Sequence, residues 1–116
     1  MKTVCKRSDL AEGRLTPVLD GRLVITLIQG DPIAVSGRCP HQGAALEHGQ
    51  ITGRVVATAN NAVDVDTTCP VLRCPWHGFE YDLASGLPLA GEPGHRRMRL
   101  RRFKAHIEGD NVMVEI

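Results

Sequence analysis

Aromatic side chains are scarce in this chain of 116 residues, where they make up 3% as one Trp, one Tyr and two Phe. Hydrophobic residues still reach 42%, so the core of the one domain that this length allows must consist mainly of Val, Leu, Ile and Ala. Long apolar runs are missing too, because the longest, Leu23–Ile28, is interrupted by Thr26 and is far too short to cross a bilayer. We therefore expect a single domain over 1–116 without a membrane span.

Charge of one sign is also lacking, since the formal net charge is +1. This balance excludes strong non-specific attraction of the whole chain to nucleic acids. The basic run 96–104 lacks the interleaved aromatic residues of a single-strand binder. We interpret it as a charged edge strand, with a steering patch for an acidic redox partner as the alternative. The charged N-terminus has no secretory apolar region, which favours a cytoplasmic protein.

Cysteine is too rare for a disulfide-built scaffold, because the chain has four cysteines in total. We interpret Cys5 as an ordinary strand residue. Cys69, five positions before Cys74, is interpreted as a free thiol rather than a ligand.

Short apolar segments broken by turn residues predict an all-β domain. Segments 22–28 and 33–35 flank a Gly-Asp-Pro turn, 55–59 and 62–66 flank Asn60-Asn61, and 97–107 and 112–116 flank a turn at 108–111. A brief helix is possible at 8–13. The pattern predicts a small antiparallel β-sandwich or barrel.

Two short segments carry the chemistry of the chain: Cys39-Pro-His41 and Cys74-Pro-Trp-His77-Gly78. Proline after each cysteine and a nearby glycine are typical of tight loops. Two such loops offer two sulfurs and two nitrogens, which suit either a zinc ion or an iron–sulfur cluster of mixed ligation. The order Cys-His, Cys-His argues against a zinc finger, in which cysteines and histidines are grouped separately.

Both segments resemble the two cluster-binding boxes of Rieske proteins, C-x-H and C-x-x-H. The resemblance implies a Rieske-like fold with a two-loop cluster-binding subdomain at about 37–90. It also implies a [2Fe–2S] cluster with Cys39 and Cys74 on one iron and His41 and His77 on the other. The connection from His41 to Cys74 is longer than is usual for Rieske ferredoxins, so we predict an inserted hairpin at about 54–70. The bridging cysteines of respiratory Rieske subunits are replaced by Ala44 and Trp76.

The resemblance implies a single-electron carrier rather than an enzyme. Its expected role is the ferredoxin of a multicomponent oxygenase system of the ring-hydroxylating type, a monomer that serves a flavin-dependent reductase and a terminal oxygenase or another oxidoreductase. Alternatives are a small subunit of a larger oxidoreductase, such as a nitrite-reductase-like complex, and a zinc-stabilised binding module without redox activity. Leu46, Trp76 and Pro88 are candidates for an apolar shell around the cluster.

We predict a reduction potential in the low-to-middle part of the Rieske range of roughly −150 to +300 mV. High-potential members of the family carry a serine where this chain has Phe79, whereas their tyrosine is present as Tyr81. One hydrogen-bond donor to the cluster sulfurs is therefore missing and one is retained. A redox titration that gave a midpoint above about +200 mV would contradict this prediction.

Overall fold

The computed structural model describes residues 1–40, 43–57, 62–76, 78–89 and 99–116. Their regular structure is almost entirely β, as the sequence predicts. Short 3-10 turns occur at Arg7–Asp9 and Leu46–His48, and no helix in the described ranges is long and apolar enough to cross a bilayer. The strands are β1 (Lys2–Lys6), β2 (Thr16–Val18), β3 (Leu23–Ile28), β4 (Asp31–Ser36), β5 (Gln50–Ala57), β6 (Val63–Arg73), β7 (Glu80–Asp82), β8 (Arg102–Phe103), β9 (Ala105–Glu108) and β10 (Asn111–Val114).

The strands of the described ranges form three antiparallel sheets. A base sheet has the order β1-β10-β9, a middle sheet the order β2-β3-β4-β8, and a loop-side sheet the order β5-β6-β7. In the loop-side sheet, consecutive strands are neighbours, as in a meander. The predicted antiparallel β architecture is thus confirmed, with its strands distributed over three small sheets.

Strand β3 is buried on both faces, which explains why all its residues except Thr26 are apolar. The odd-numbered residues of β3, such as Ile25, belong to one hydrophobic cluster, the base core, which packs against the base sheet. Val24 belongs to a second hydrophobic cluster, the loop-side core. Ala34 and Val35 of β4 divide in the same way. A strand covered on both faces has no side chain left for solvent, so hydrophobic alternation disappears.

Two local predictions are corrected by the backbone. The turn between β3 and β4 is made by Gln29 and Gly30, both at positive φ, rather than by Asp31-Pro32, which begin β4. Two consecutive residues at positive φ are typical of the hairpin turn that matches strand twist. The possible helix at 8–13 is replaced by the 3-10 turn Arg7–Asp9, where the Lys6 N–H donates to the Asp9 carboxylate at 2.9 Å.

The segment predicted as one strand over 97–107 is divided between two sheets. β8 pairs with β4 in the middle sheet, and β9 pairs with β10 in the base sheet, so Lys104 lies at the crossing. Arginines of this segment are used locally: Arg102 donates to the Ala84 carbonyl at 2.7 Å, and Arg99 donates to the Ser85 carbonyl at 3.1 Å. β8 is an edge strand, which agrees with the charged-edge interpretation of the basic run. Residues 96–98 of that run lie outside the described ranges.

The long connection between the two loops is occupied by β5 and β6. Their ladder includes the pair Ala57–Val63 next to the predicted Asn60-Asn61 turn, and those two asparagines lie outside the described residues. Pairing continues beyond the predicted limits of 54–70 to Gln50 opposite Arg73, with a register shift between Gly53 and Arg54. That this hairpin is an insertion relative to Rieske ferredoxins stays a prediction.

A close backbone contact at Gly37 generates a stability prediction. A Cβ added there would overlap the carbonyl oxygen of Gly21. The three atoms nearest to it all belong to the backbone of Gly21 and Arg22, which cannot rotate away as a side chain could. We expect Gly37→Ala to lower the free energy of unfolding by about 3 kcal/mol, the upper end for overpacking. Denaturant titration measures the change.

Gly109→Ala is the matched control for this substitution. Gly109 has a φ of +59°, but nothing lies within 4 Å of an added Cβ. The expected cost there is about 1 kcal/mol from backbone strain alone. A Gly37→Ala variant as stable as the wild type would show that the Gly37 contact relaxes without cost.

Candidate metal centre

The two predicted loops are brought together by the pairing of β5 with β6. The first loop leads through the turn Leu46–His48 into β5, and the second loop begins where β6 ends. Because β5 and β6 are antiparallel, Gln50 lies opposite Arg73, which directly precedes Cys74. The carbonyl of Arg73 approaches so closely that Gly49 has no room for a side chain.

Both loops share one hydrogen-bonding pattern. The Cys39 N–H donates to the Ala44 carbonyl at 2.9 Å, and the Cys74 N–H donates to the Phe79 carbonyl at 2.7 Å. In each case the acceptor is five residues after the cysteine. Gly43 and Gly78, each four residues after the cysteine, have φ of +73° and +66°, a region that glycine adopts without strain. The tight-loop prediction holds for the described part of both segments.

The two cysteines lie side by side in the loop-side core. Cys39 is 2% exposed and Cys74 is 3% exposed. Neither thiol is in a disulfide, and the two are close enough for Cys39 to raise the pKa of Cys74. The Tyr81 hydroxyl lies 3.2 Å from the Cys39 sulfur. Either group can donate while Cys39 carries its proton, but toward a thiolate only the hydroxyl can donate.

Burial raises the pKa of the Cys74 thiol above its ordinary value, and the neighbouring Cys39 thiol raises it further. The hydrogen bond from the backbone of Trp76 acts in the opposite direction and lowers that pKa. The Cys74 thiol is therefore protonated at neutral pH without metal, and metal binding must release its proton. A backbone N–H aimed at a cysteine sulfur also stabilises a metal-bound thiolate.

The predicted histidine ligands, His41 and His77, lie outside the described residues. The structure thus places two of the four predicted ligands together, and the described ranges hold no group of three or more potential metal ligands. The four-residue ligand set stays a prediction. Cys5 is half-buried in β1 and Cys69 is half-buried in β6; neither is in a disulfide, and both lie outside the core that contains Cys39 and Cys74.

The three candidates for an apolar shell have different environments. Leu46 is fully buried in the loop-side core. Pro88 is half-buried and is paired with Tyr81 in an isolated antiparallel β-bridge. Trp76 differs from the expectation, because 53% of it is exposed. Its backbone acts on the Cys74 thiol through a hydrogen bond, while its indole is exposed to solvent. Phe79 packs against Tyr81 with ring centroids 5.2 Å apart.

Two arginines of the loops were missed by sequence reasoning. Arg38 and Arg73 directly precede the two cysteines, and both are exposed. The signal that could have found them is the repeated tripeptide Arg-Cys-Pro, with glycine at the same offset in each segment.

Comparison with known proteins identifies the family. The model of the Rieske [2Fe–2S] domain matches residues 1–104. The chain belongs to the Rieske family. Its cofactor is therefore a Rieske-type [2Fe–2S] cluster, and the paired buried sulfurs with hydroxyl and N–H donors fit such a group. When bound, the cluster supplies a one-electron redox couple whose potential depends on burial and on hydrogen bonds to sulfur.

The relatives include long proteins as well as single domains. Apoptosis-inducing factor 3 of Mus musculus is 31% identical over 115 residues, which cover 97% of this chain and 16% of that protein. The chain thus spans about a sixth of the length of the curated relatives it matches.

Solved structures share the Rieske fold at low sequence identity. The ferredoxin of Sphingomonas yanoikuyae B1 has a TM-score of 0.71 at 19% identity, covering 99% of this chain and 97% of that one. The putative NADH-dependent nitrite reductase small subunit of Mycobacterium tuberculosis has a TM-score of 0.71 at 18% identity, covering 97% and 91%.

The contact between Tyr81 and Cys39 predicts an effect on the reduction potential. A hydroxyl that donates to the cysteine sulfur favours the reduced, more negative state. A hydrogen bond of about 1 kcal/mol corresponds to about 40 mV in a one-electron couple. We expect Tyr81→Phe to lower the midpoint by about that amount, measured by redox titration, with the visible spectrum retained.

Thr26→Val is the control for the Tyr81 substitution. It removes a buried hydroxyl from the middle sheet, where Thr26 is 1% exposed. Its midpoint should equal that of the wild type. An unchanged midpoint in Tyr81→Phe would mean that the hydroxyl does not donate to the sulfur of the loaded protein.

Proposed function

We propose that this chain is a single-electron carrier in which Cys39, Cys74, His41 and His77 hold the [2Fe–2S] cluster. The observation that carries the proposal is the pair of buried, adjacent sulfurs of Cys39 and Cys74, presented by two loops of matching hydrogen-bond pattern. The predicted imidazole ligands, His41 and His77, follow these cysteines after one and two intervening residues. Replacing two thiolates by neutral imidazoles makes the iron pair easier to reduce than an all-cysteine centre.

The proposed role of the carrier is the ferredoxin component of a multicomponent oxygenase system. It would receive electrons from a flavin-dependent reductase and deliver them to a terminal oxygenase or another oxidoreductase, and it would not itself be an enzyme. Support comes from the fold shared with the ferredoxin of carbazole 1,9a-dioxygenase from Nocardioides aromaticivorans IC177, at a TM-score of 0.67 and 21% identity. We also propose that the carrier is monomeric and cytoplasmic.

The second candidate function is the small subunit of a larger oxidoreductase. The fold shared with the nitrite reductase small subunit of Mycobacterium tuberculosis favours it as much as the first candidate. Purification separates the two, because a subunit elutes in a stable stoichiometric complex whereas a carrier elutes alone. A colourless protein that contains zinc would instead support the zinc-stabilised module.

Single cysteine substitutions test the proposed ligands. We expect Cys39→Ser and Cys74→Ser to abolish the brown colour and the rhombic spin-resonance signal of the reduced protein, because each removes one of two thiolates from an iron. Iron and inorganic sulfide, which should be present in equal amounts in the wild type, should both fall to background. The protein is isolated anaerobically and assayed by visible spectroscopy, spin resonance and metal analysis.

Cys69→Ser and Cys5→Ser are the matched controls, since both cysteines are half-buried in strands and neither is in a disulfide. Their spectra should be those of the wild type. Bleaching in Cys69→Ser would refute the ligand assignment. A wild-type protein that held zinc and no sulfide would refute the electron-carrier proposal itself.

A further inference from the structure

The two loops carry matching arginines that the metal chemistry does not use. Arg38 and Arg73 occupy the position before each cysteine, and both side chains are exposed although their neighbours Cys39 and Cys74 are buried. Two cations thus flank the buried sulfurs at equivalent places in the two loops.

The guanidinium groups occupy equivalent places as well. Arg38 Nη1 donates a long hydrogen bond of 3.5 Å to the Gly43 carbonyl. A Cβ built on Gly78 would lie 2.7 Å from Arg73 Nη2 and 2.9 Å from its Nε. Each arginine therefore folds over the glycine of its own loop, which positions its charge beside the loop rather than along the strand.

Neither guanidinium is neutralised by a carboxylate within the described ranges. The acidic residue nearest the first loop in sequence is Glu47. Its carboxylate lies beside Gly21, in the turn between β2 and β3, where Oε1 would be 3.4 Å from an added Cβ. Glu80 is the register partner of Arg73, but it is half-buried, and no ion pair joins the two described side chains. As far as the described residues go, the positive charge of both arginines is available to a partner.

Exposed apolar surface lies next to these charges. Trp76 is 53% exposed in the second loop, and Pro40 and Pro75, which follow the two cysteines, are exposed too. Pro75 also lines an open cleft of about 400 Å³, together with His48, Gln50 and Arg73 among others. Tryptophan and arginine are the residue types most enriched at the energetic centres of protein interfaces.

We propose that Arg38, Arg73 and Trp76 form a docking surface for an acidic redox partner. The partner presents carboxylates to the two guanidinium groups and an apolar recess to the indole. Since Arg38, Arg73 and Trp76 each lie within two residues of a buried cysteine, docking there brings the partner close to the redox centre. The proposal rests on the electron-carrier function and adds the charge of the partner's contact face to it.

Small redox ions of opposite charge test the electrostatic part of the proposal. Reduced protein transfers one electron to hexacyanoferrate(III), giving hexacyanoferrate(II), or to hexaammineruthenium(III), giving the ruthenium(II) ion. Stopped-flow rates are measured for the wild type and for the double variant Arg38→Gln, Arg73→Gln. We expect the anion rate to fall by about threefold or more and the cation rate to rise, because charges near the site steer the approach of ions.

Two control variants separate local charge from other effects. Arg38→Lys with Arg73→Lys keeps the charge and should keep the wild-type rates. Arg7→Gln removes one exposed charge beside the base sheet and should leave both rates unchanged. Equal rate changes in Arg7→Gln and in the double Gln variant would overturn the proposal.

A protein donor tests the contribution of Trp76. An acidic flavodoxin in its hydroquinone form gives one electron to the oxidised protein and becomes the semiquinone. We expect Trp76→Ala to slow this reaction about threefold or more while its rate with hexacyanoferrate(III) is unchanged, because interface anchors affect docking rather than ion approach. Ile116→Ala, which truncates a side chain of similar exposure beyond β10, is the control.

The outcomes distinguish this proposal from the one on which it rests. A coloured protein that exchanges electrons, but whose anion rate is insensitive to Arg38 and Arg73, overturns the docking surface and leaves the carrier function intact. A flavodoxin rate unaffected by Trp76→Ala also overturns it. A protein that takes up no cluster and exchanges no electrons overturns both proposals.

Discussion

The antiparallel pairing of β5 with β6 is the constraint on which the candidate site depends. One strand begins where the first loop ends, and the other ends where the second loop begins. With Gln50 opposite Arg73, the two cysteines meet although they are far apart in the chain. A slip of one residue would turn the side chains of a strand to its other face. The close fit of Gly49 against the Arg73 carbonyl opposes such a slip.

Burial of two thiols imposes a chemical requirement that the loops satisfy. A buried sulfur is easily accommodated while protonated, but a thiolate needs donors or a metal. The Tyr81 hydroxyl beside Cys39 and the Trp76 N–H beside Cys74 supply one donor for each sulfur. The same hydrogen bonds that stabilise the buried thiolates also change the reduction potential of a bound cluster. Stability and redox function therefore share the same few hydrogen bonds.

Local chemistry made much of the site predictable. Proline after each cysteine and glycine four positions later identified both loops, and the resemblance to Rieske proteins indicated Tyr81 as a sulfur donor. Other features depended on distant packing: the indole of Trp76 is exposed, and the chain changes sheet at Lys104. No local pattern encodes which sheet edge a strand joins. The ligand roles of His41 and His77 stay predictions.

By itself, the sequence determined the candidate ligands, the loops that carry them and the β character of the chain. Each of these follows from backbone preferences and donor chemistry within a few residues. Tertiary structure alone decided that both sulfurs are buried, with Tyr81 beside that of Cys39, while both preceding arginines stay exposed. Burial and proximity depend on strand register across the whole domain, because residues distant in sequence become neighbours through the hydrogen bonds of the sheet.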